Sequence, residues 1–369
     1  MRLLKNFHVF APKDLGFVDI LVAHGKVLCV EENLNITGIP NLEVVDGEGA
    51  IITPGFIDQH IHLIGAGGKR GFSSLTRELE ITDLWRVGTT TAVGLLGTDG
   101  ATRNPKSLYS KVKAFDEQGL SAFMHTGYYG LDPCFITDSA QNDLIFIDKV
   151  IGSKVAISDI RSSFPTDNEL LKRWREVYVG GMVSGKKGVL HVHLGPAKEH
   201  LDPLFRMVKD FDVPISSLSP THVARSKELF EEAILFAKLG GSIDITTGAS
   251  KFTEPHLAVY CAVEEGVPIT QITFSTDGNA GLDAKDVHGN VIGTKSAPIE
   301  ANLSSIRALL TDRIIETEQA LSLVTVNVAN HLNLKGKGRV SNGYDADFCV
   351  FDDQWNLKDV YTKGISRWM

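Results

Sequence analysis

Between residues 55 and 277 the chain repeats one pattern eight times, a short apolar and β-branched run recurring at intervals of about thirty residues. The runs lie at 55–62, 90–97, 121–127, 152–158, 188–194, 213–222, 242–247 and 271–277. Runs of this length read as strands, and each interval has room for a helix and two turns. Helical signals fill the intervals at 104–118, 167–179 and 225–239. In the last of these, apolar residues recur at helical spacing from Lys227 to Lys238, and Gly240-Gly241 ends the pattern. Eight βα units in series predict a (β/α)8 TIM barrel of the α/β class, whose functional side chains stand at the C-terminal ends of the strands.

The two ends of the chain read differently. Residues 18–22 and 26–30 flank a His24-Gly25 turn, and Ile51-Ile52-Thr53-Pro54 reads as a strand leading into the first barrel run. A similar β pattern returns at 338–340, 344–351 and 360–361. These ends predict one small β domain built from 1–54 plus 335–369, set beside a barrel spanning 55–334. Residues 279–300, rich in Gly, Asp and Asn, read as a loop over the active face.

The net charge of −8 and the lack of a Lys/Arg-rich run argue against a nucleic-acid partner. No basic leader precedes an apolar segment and no run of 18 apolar residues occurs, so neither a membrane partner nor export is expected. Cys29, Cys134, Cys261 and Cys349 are far apart and read as reduced thiols. The expected location is the cytoplasm.

The first run ends in Asp58-Gln59-His60-Ile61-His62. Residues two apart on a strand face the same way, so His60 and His62 project together, as a divalent metal requires of neutral imidazoles. Chance also makes such pairs in a chain with 12 histidines, and His191/His193 is a second one. Lys154, His193, His222 and Asp277 then stand at or near the ends of later runs. On spacing alone, Lys154 reads as a snorkelling or surface-facing lysine and Asp277-Gly278-Asn279 as a turn. Asp277 nevertheless closes the eighth run, which favours ligation. His125 and His191 read as satisfied structural histidines.

A His pair followed by Lys, His, His and Asp resembles the ligand order of the metal-dependent amidohydrolase superfamily. The resemblance covers nearly the whole chain and narrows to the isoaspartyl dipeptidases. It is carried by Gly55-Phe56-Ile57-Asp58-Gln59-His60-Ile61-His62-Leu63-Ile64-Gly65, Gly94-Leu95-Leu96-Gly97-Thr98-Asp99, the segment 150–161 and Pro220-Thr221-His222-Val223. It implies a β-sandwich for the small domain. It also implies two divalent metal ions per chain, Zn2+ first among the candidates, with His60 and His62 on one ion and His193 and His222 on the other. Two nearby cations need an anionic bridge, which a plain ammonium cannot supply. By resemblance the bridge is Lys154 carbamylated by carbon dioxide to N6-carboxylysine.

Asp277 would then ligate the first ion and pass a proton from a bridging hydroxide to the leaving amine of an amide substrate. Tyr129, with Tyr128 one residue away as the alternative, would steady the oxyanion. Arg161 and Arg225 would hold a substrate carboxylate. Gly67 and Thr98 would face the substrate from their loops. The implied substrate is a small molecule, first a β-aspartyl dipeptide, and the implied assembly is a homo-octamer.

The pattern breaks in two places. A glutamate that would bind the substrate ammonium is replaced by Lys69 in Gly65-Ala66-Gly67-Gly68-Lys69-Arg70-Gly71, and a serine after the Asp-Gly-Asn turn is replaced by Gly281. A lysine repels an ammonium group. Either Glu78 or Glu80 takes over from a shifted loop, or the substrate is another carboxylate-bearing amide, N-acylated or cyclic. A non-catalytic scaffold would lack the ligand residues, and all six are present.

Overall fold

In the computed structural model, which describes residues 1–367, eight parallel strands pair in chain order. They are Phe56–Ile61, Thr89–Gly94, Ser121–Gly127, Val150–Ile157, Val189–Leu194, Leu218–Thr221, Ile243–Thr246 and Ile272–Ser275. The last strand meets the first through an Ile61–Gly278 bridge and the His62 N–H, which donates to the Gly278 carbonyl at 3.0 Å. This is the expected (β/α)8 barrel. Nearly every strand residue is buried, because helices cover the outside while side chains fill the inside. Trp368 and Met369, which end the 335–369 segment, lie outside the described residues.

The runs at 90–97, 121–127, 152–158, 188–194, 242–247 and 271–277 each overlap a strand closely. The sixth is shorter than its apolar run. Pro214 opens a tight turn at Ile215–Ser217, and the strand starts only at Leu218. The helix expected at 167–179 extends to Ser184, through Gly180 and Gly181. Those glycines would ordinarily weaken a helix. Here a Cβ on Gly180 would lie 2.9 Å from Leu144 Cβ, and one on Gly181 2.7 Å from Gly188, so bare backbone is what lets the helix dock. Thr166 and Glu169 form a capping box at its start, and Gly185 (φ 69°) terminates it in the left-handed region.

The ends of the chain meet in a second eight-stranded sheet, separate from the barrel. Arg2–Phe10 pairs with Asp14–Ala23 on one side and with both Glu43–Asp46 and Ile51–Pro54 on the other. Ile51–Pro54 in turn pairs with Phe348–Phe351 from the far end of the chain. Leu4, Phe7, Val9, Ile20, Ile52, Phe348 and Val350 form its own apolar core. The chain passes from one sheet to the other at Gly55, so 51–54 and 56–61 are two strands and not one continuous run. A side chain at Gly55 would run into Thr90.

Residues 279–300 are not a plain loop. Gly281–Lys285 and Val291–Ser296 form an antiparallel hairpin that leans over the barrel mouth. Arg70 fastens it to the loop after the first strand, donating to Asp283 at 2.7 Å, to Thr294 Oγ1 at 2.8 Å and to the Gly293 carbonyl. Gly281 makes that contact possible, because a Cβ there would lie 2.7 Å from Gly67 Cα.

Candidate active site

Six of the expected residues converge at the C-terminal mouth of the barrel, all buried. His60 and His62 leave the first strand on its inner face. Their Nε2 atoms lie 3.3 and 3.2 Å from Asp277 Oδ1, across the seam from the eighth strand. These three side chains lie close enough together to hold one ion. Lys154 reaches in from the fourth strand, with Nζ 3.2 Å from His60 Nε2. The His222 ring packs against those of His60 and His193, at centroid distances of 4.9 and 4.5 Å.

The protonation states suit a metal. Burial, with Lys154 adding to it, lowers the His60 pKa to about 3. Burial likewise drives His193 and His222 well below the ordinary imidazole value. Burial alone would raise the Asp277 carboxyl, but His222, His60 and His62 hold it well below the usual range. Neutral imidazoles beside an ionised carboxylate are the forms that bind a divalent ion. The His222 Nδ1 is engaged by Thr246 Oγ1 at 2.6 Å, while its Nε2 is buried with no hydrogen-bond partner. An ion at the centre would satisfy it. His222 (φ 65°) and Asp277 (φ 51°) both sit in the left-handed region just past their strands, a local strain common at functional positions.

Over residues 51–366 the chain matches the sequence pattern of the amidohydrolase family. It belongs to that family. Two solved structures of the β-aspartyl dipeptidase from Fervidobacterium islandicum AW-1 are similar along the whole chain. One, in complex with β-Asp-Leu, has TM-score 0.93 at 39% identity and covers 99% of this chain and 95% of its own. The other has TM-score 0.90 at 38% identity, covering 99% and 96%. A curated deacetylase from Brucella anthropi is 24% identical over 354 residues, 90% of this chain and 79% of the deacetylase. Members of the family generally bind divalent metals, which fits the His-His-Asp group of this amidohydrolase.

Above the centre, His62, Gly67, Thr98, Tyr129, Arg161, Arg225 and Asp277 line one cleft, so the expected substrate-facing residues come together. The Tyr129 hydroxyl lies 2.8 Å from His193 Nδ1. Tyr128 instead donates to Asp132 at 2.9 Å, and of the two tyrosines Tyr129 is the one that lines this cleft. Burial pushes the Tyr129 pKa above its ordinary value, so its hydroxyl stays a donor. The Arg161 guanidinium lies 5.2 Å from the Tyr129 ring centroid.

Neither Glu78 nor Glu80 lines the cleft beside Lys69. Glu78 pairs with Lys111 at 3.2 Å, and Glu80 caps the Ile81–Trp85 helix.

Asp159 and Lys251 were not singled out in the sequence, and His191, read there as a satisfied structural histidine, is one. Asp159 accepts from His193 Nε2–H at 3.1 Å and from Arg161 Nε–H at 2.9 Å. Although burial opposes it, Arg161 and His193 hold its pKa far below the usual range. The ionised carboxylate therefore fixes the His193 tautomer and leaves its Nδ1 lone pair facing Tyr129 and the centre. Its only signal was a carboxylate two residues before Arg161. Lys251 lines the cleft from a loop with no motif. His191 is buried, with Nε2 2.8 Å from His60 Nδ1 and Nδ1 3.1 Å from Ser219 Oγ, so it directly contacts a candidate ligand. His125 stacks on His191 at 4.9 Å, but its own ring nitrogens lack good hydrogen-bond partners, contrary to the expectation that both histidines are satisfied.

Proposed function

We propose that this amidohydrolase cleaves the amide bond of a β-aspartyl (isoaspartyl) group in a small acidic substrate, with two divalent ions bridged by carbamylated Lys154. The observation that carries the reading is Lys154 itself. Its side chain is wholly buried among candidate metal ligands, near Arg161 and Arg225, and burial lowers its pKa to about 7. An ammonium there is poorly accommodated, whereas an anion is not. At neutral pH much of the amine is uncharged; its nitrogen bonds to carbon dioxide and releases one proton, giving N6-carboxylysine. Likeness to a dipeptidase crystallised with β-Asp-Leu supports the substrate class.

His60, His62 and Asp277 would hold one ion, His193 and His222 the other, and the Lys154 carbamate both. Bound there, the ions supply an activated water at neutral pH and polarise the amide carbonyl. The chain's residues do the rest. Arg161, braced by Asp159, and Arg225 hold the substrate carboxylate and set the amide over the centre. Tyr129 donates its hydroxyl to the oxygen that gains charge as the carbonyl becomes tetrahedral. Asp277 accepts a proton and delivers it to the departing amine nitrogen, without which the amine is a poor leaving group. Zn2+, a homo-octameric assembly and a cytoplasmic location belong to the same proposal and rest on the family resemblance. No helix among the described residues is long and apolar enough to cross a membrane.

The test is elemental analysis paired with turnover of β-Asp-Leu on one sample. About two zinc ions per chain with metal-dependent release of leucine are expected. A protein that takes up no metal from zinc and bicarbonate would refute the centre, and bound metal without turnover would refute the substrate class.

A further inference from the structure

The charge around the cleft is lopsided. Four basic side chains, Lys69, Arg161, Arg225 and Lys251, line it, against one acidic side chain, Asp277. Asp277 is committed to His60 and His62. Where the cleft continues outward past Phe72 and Thr102 it meets one more carboxylate, Asp99. That group is already tied down: its Oδ1 accepts the Ala101 and Thr102 N–H groups, both at 2.9 Å, and its Oδ2 takes the Thr102 hydroxyl. Neither Glu78, paired with Lys111, nor Asp283, whose Oδ1 accepts from Arg70, lines either part of the cleft. On the basic side, among the described residues, only Arg161 forms a salt bridge, to Asp159. Lys69, Arg225 and Lys251 form no ion pair among the described residues.

A β-aspartyl dipeptide brings two carboxylates and one ammonium to this surface. The carboxylates find partners in excess. The ammonium meets in the lining only Asp277, committed to His60 and His62, and Asp99, which already accepts three hydrogen bonds from its own turn, while Lys69, from the loop that edges both parts of the cleft, opposes it. We propose that the preferred substrate of this site is a monoamide of a dicarboxylic acid with no ammonium beside the scissile bond, of the N-succinyl-amino-acid class. This inference rests on the metal-dependent amide hydrolysis proposed above and changes the preferred acyl group from β-aspartyl to succinyl. The bond broken is the same. Water adds its hydroxyl to the amide carbon and a proton to the nitrogen, so an N-succinyl amino acid yields succinate and the free amino acid, with no further reactant. Lys69 and Lys251 supply charge for the second carboxylate, while Arg161 and Arg225 keep the first.

N-succinyl-leucine and β-Asp-Leu differ only in the α-ammonium, so the pair isolates the group in question. The zinc-loaded wild-type protein is expected to show kcat/KM for N-succinyl-leucine about tenfold above that for β-Asp-Leu, chiefly through KM. Lys69→Glu is expected to reverse the order, and Lys69→Met to bring the two substrates close together. A wild-type preference for β-Asp-Leu overturns the inference, as does a ratio that neither substitution moves. Hydrolysis of β-Asp-Leu alone would leave the dipeptidase reading standing while removing this one. Failure on both substrates with two ions bound would remove both.

Discussion

His191 lies one layer below the candidate ligands, and its loss gives a sharp test of how the centre is held. Its imidazole bridges two fully buried groups, with Nε2 2.8 Å from His60 Nδ1 and Nδ1 3.1 Å from Ser219 Oγ. The consistent proton arrangement has His191 Nδ1–H donating to the serine and His60 Nδ1–H donating to His191. That leaves the lone pair of His60 on Nε2, the atom facing Lys154 and Asp277. His191→Phe keeps the ring volume but strands a buried N–H on His60, a cost of about 1–3 kcal/mol that the ring can escape by turning or changing tautomer. Either escape withdraws the ligating lone pair. Loss of such a supporting partner typically weakens metal binding 10–100-fold, or about 1.4–2.8 kcal/mol. His191→Asn, which retains an acceptor, should recover part of the loss. The assay is competition of the metal-free protein against a chromophoric zinc chelator, with thermal melts of the same samples to establish folding. Zinc affinity within twofold of wild type for a folded His191→Phe protein would refute the argument.

Three further outcomes follow from the same geometry. Metal uptake by the metal-free protein at a fixed concentration of dissolved carbon dioxide should become faster as pH rises through about 7, because only the uncharged Lys154 amine takes up carbon dioxide; a rate flat from pH 6 to 8 at that fixed concentration would count against the carbamate. Lys337 is buried against Asp345 and Asp347 at 2.7 and 2.5 Å, between the barrel and the second sheet, so Lys337→Met should cost roughly 3–5 kcal/mol in chemical unfolding at pH 7. Burial opposes charge on Lys337 and Asp345 alike, but their pairing wins, raising the lysine from 10.5 and lowering the aspartate from 3.8. The lysine's contribution is thus complete below pH 10.5 and lost above it, the aspartate's complete above pH 3.8 and lost below it, which predicts a plateau between those limits in the wild-type-minus-mutant difference. Finally, Gly281→Ser should push the 65–71 loop away from the hairpin, raising KM severalfold with little change in kcat; unchanged KM would mean the loop absorbs the added Cβ.

The sequence by itself determined the barrel and pointed to the candidate ligands at its mouth. The barrel is written in short-range pattern, β-branched runs at a regular interval, whereas the candidate roles of Lys154 and Asp277 at the ends of those runs came from the order His, His, Lys, His, His, Asp along the whole chain and its resemblance to a family. Once such strands close into a barrel, their C-terminal ends must meet, so residues more than 200 positions apart, such as His60 and Asp277, fall 3.3 Å from each other. The turn-rich composition of 279–300 hid a hairpin, because its strands are largely exposed and held partly by Arg70, a residue far away in the chain. The helix past Gly180 was hidden for a related reason, since what favours bare backbone there is Leu144 and Gly188. The roles of Asp159, His191 and Lys251 depend on neighbours brought in by other strands and loops, and a side chain's partner is not a property of its own segment. The imbalance of charge around Lys69 is of that kind too. Lys69 can be read in the sequence, but that four basic side chains and only two carboxylates, Asp99 and Asp277, line the cleft is decided only when the loops are folded against each other.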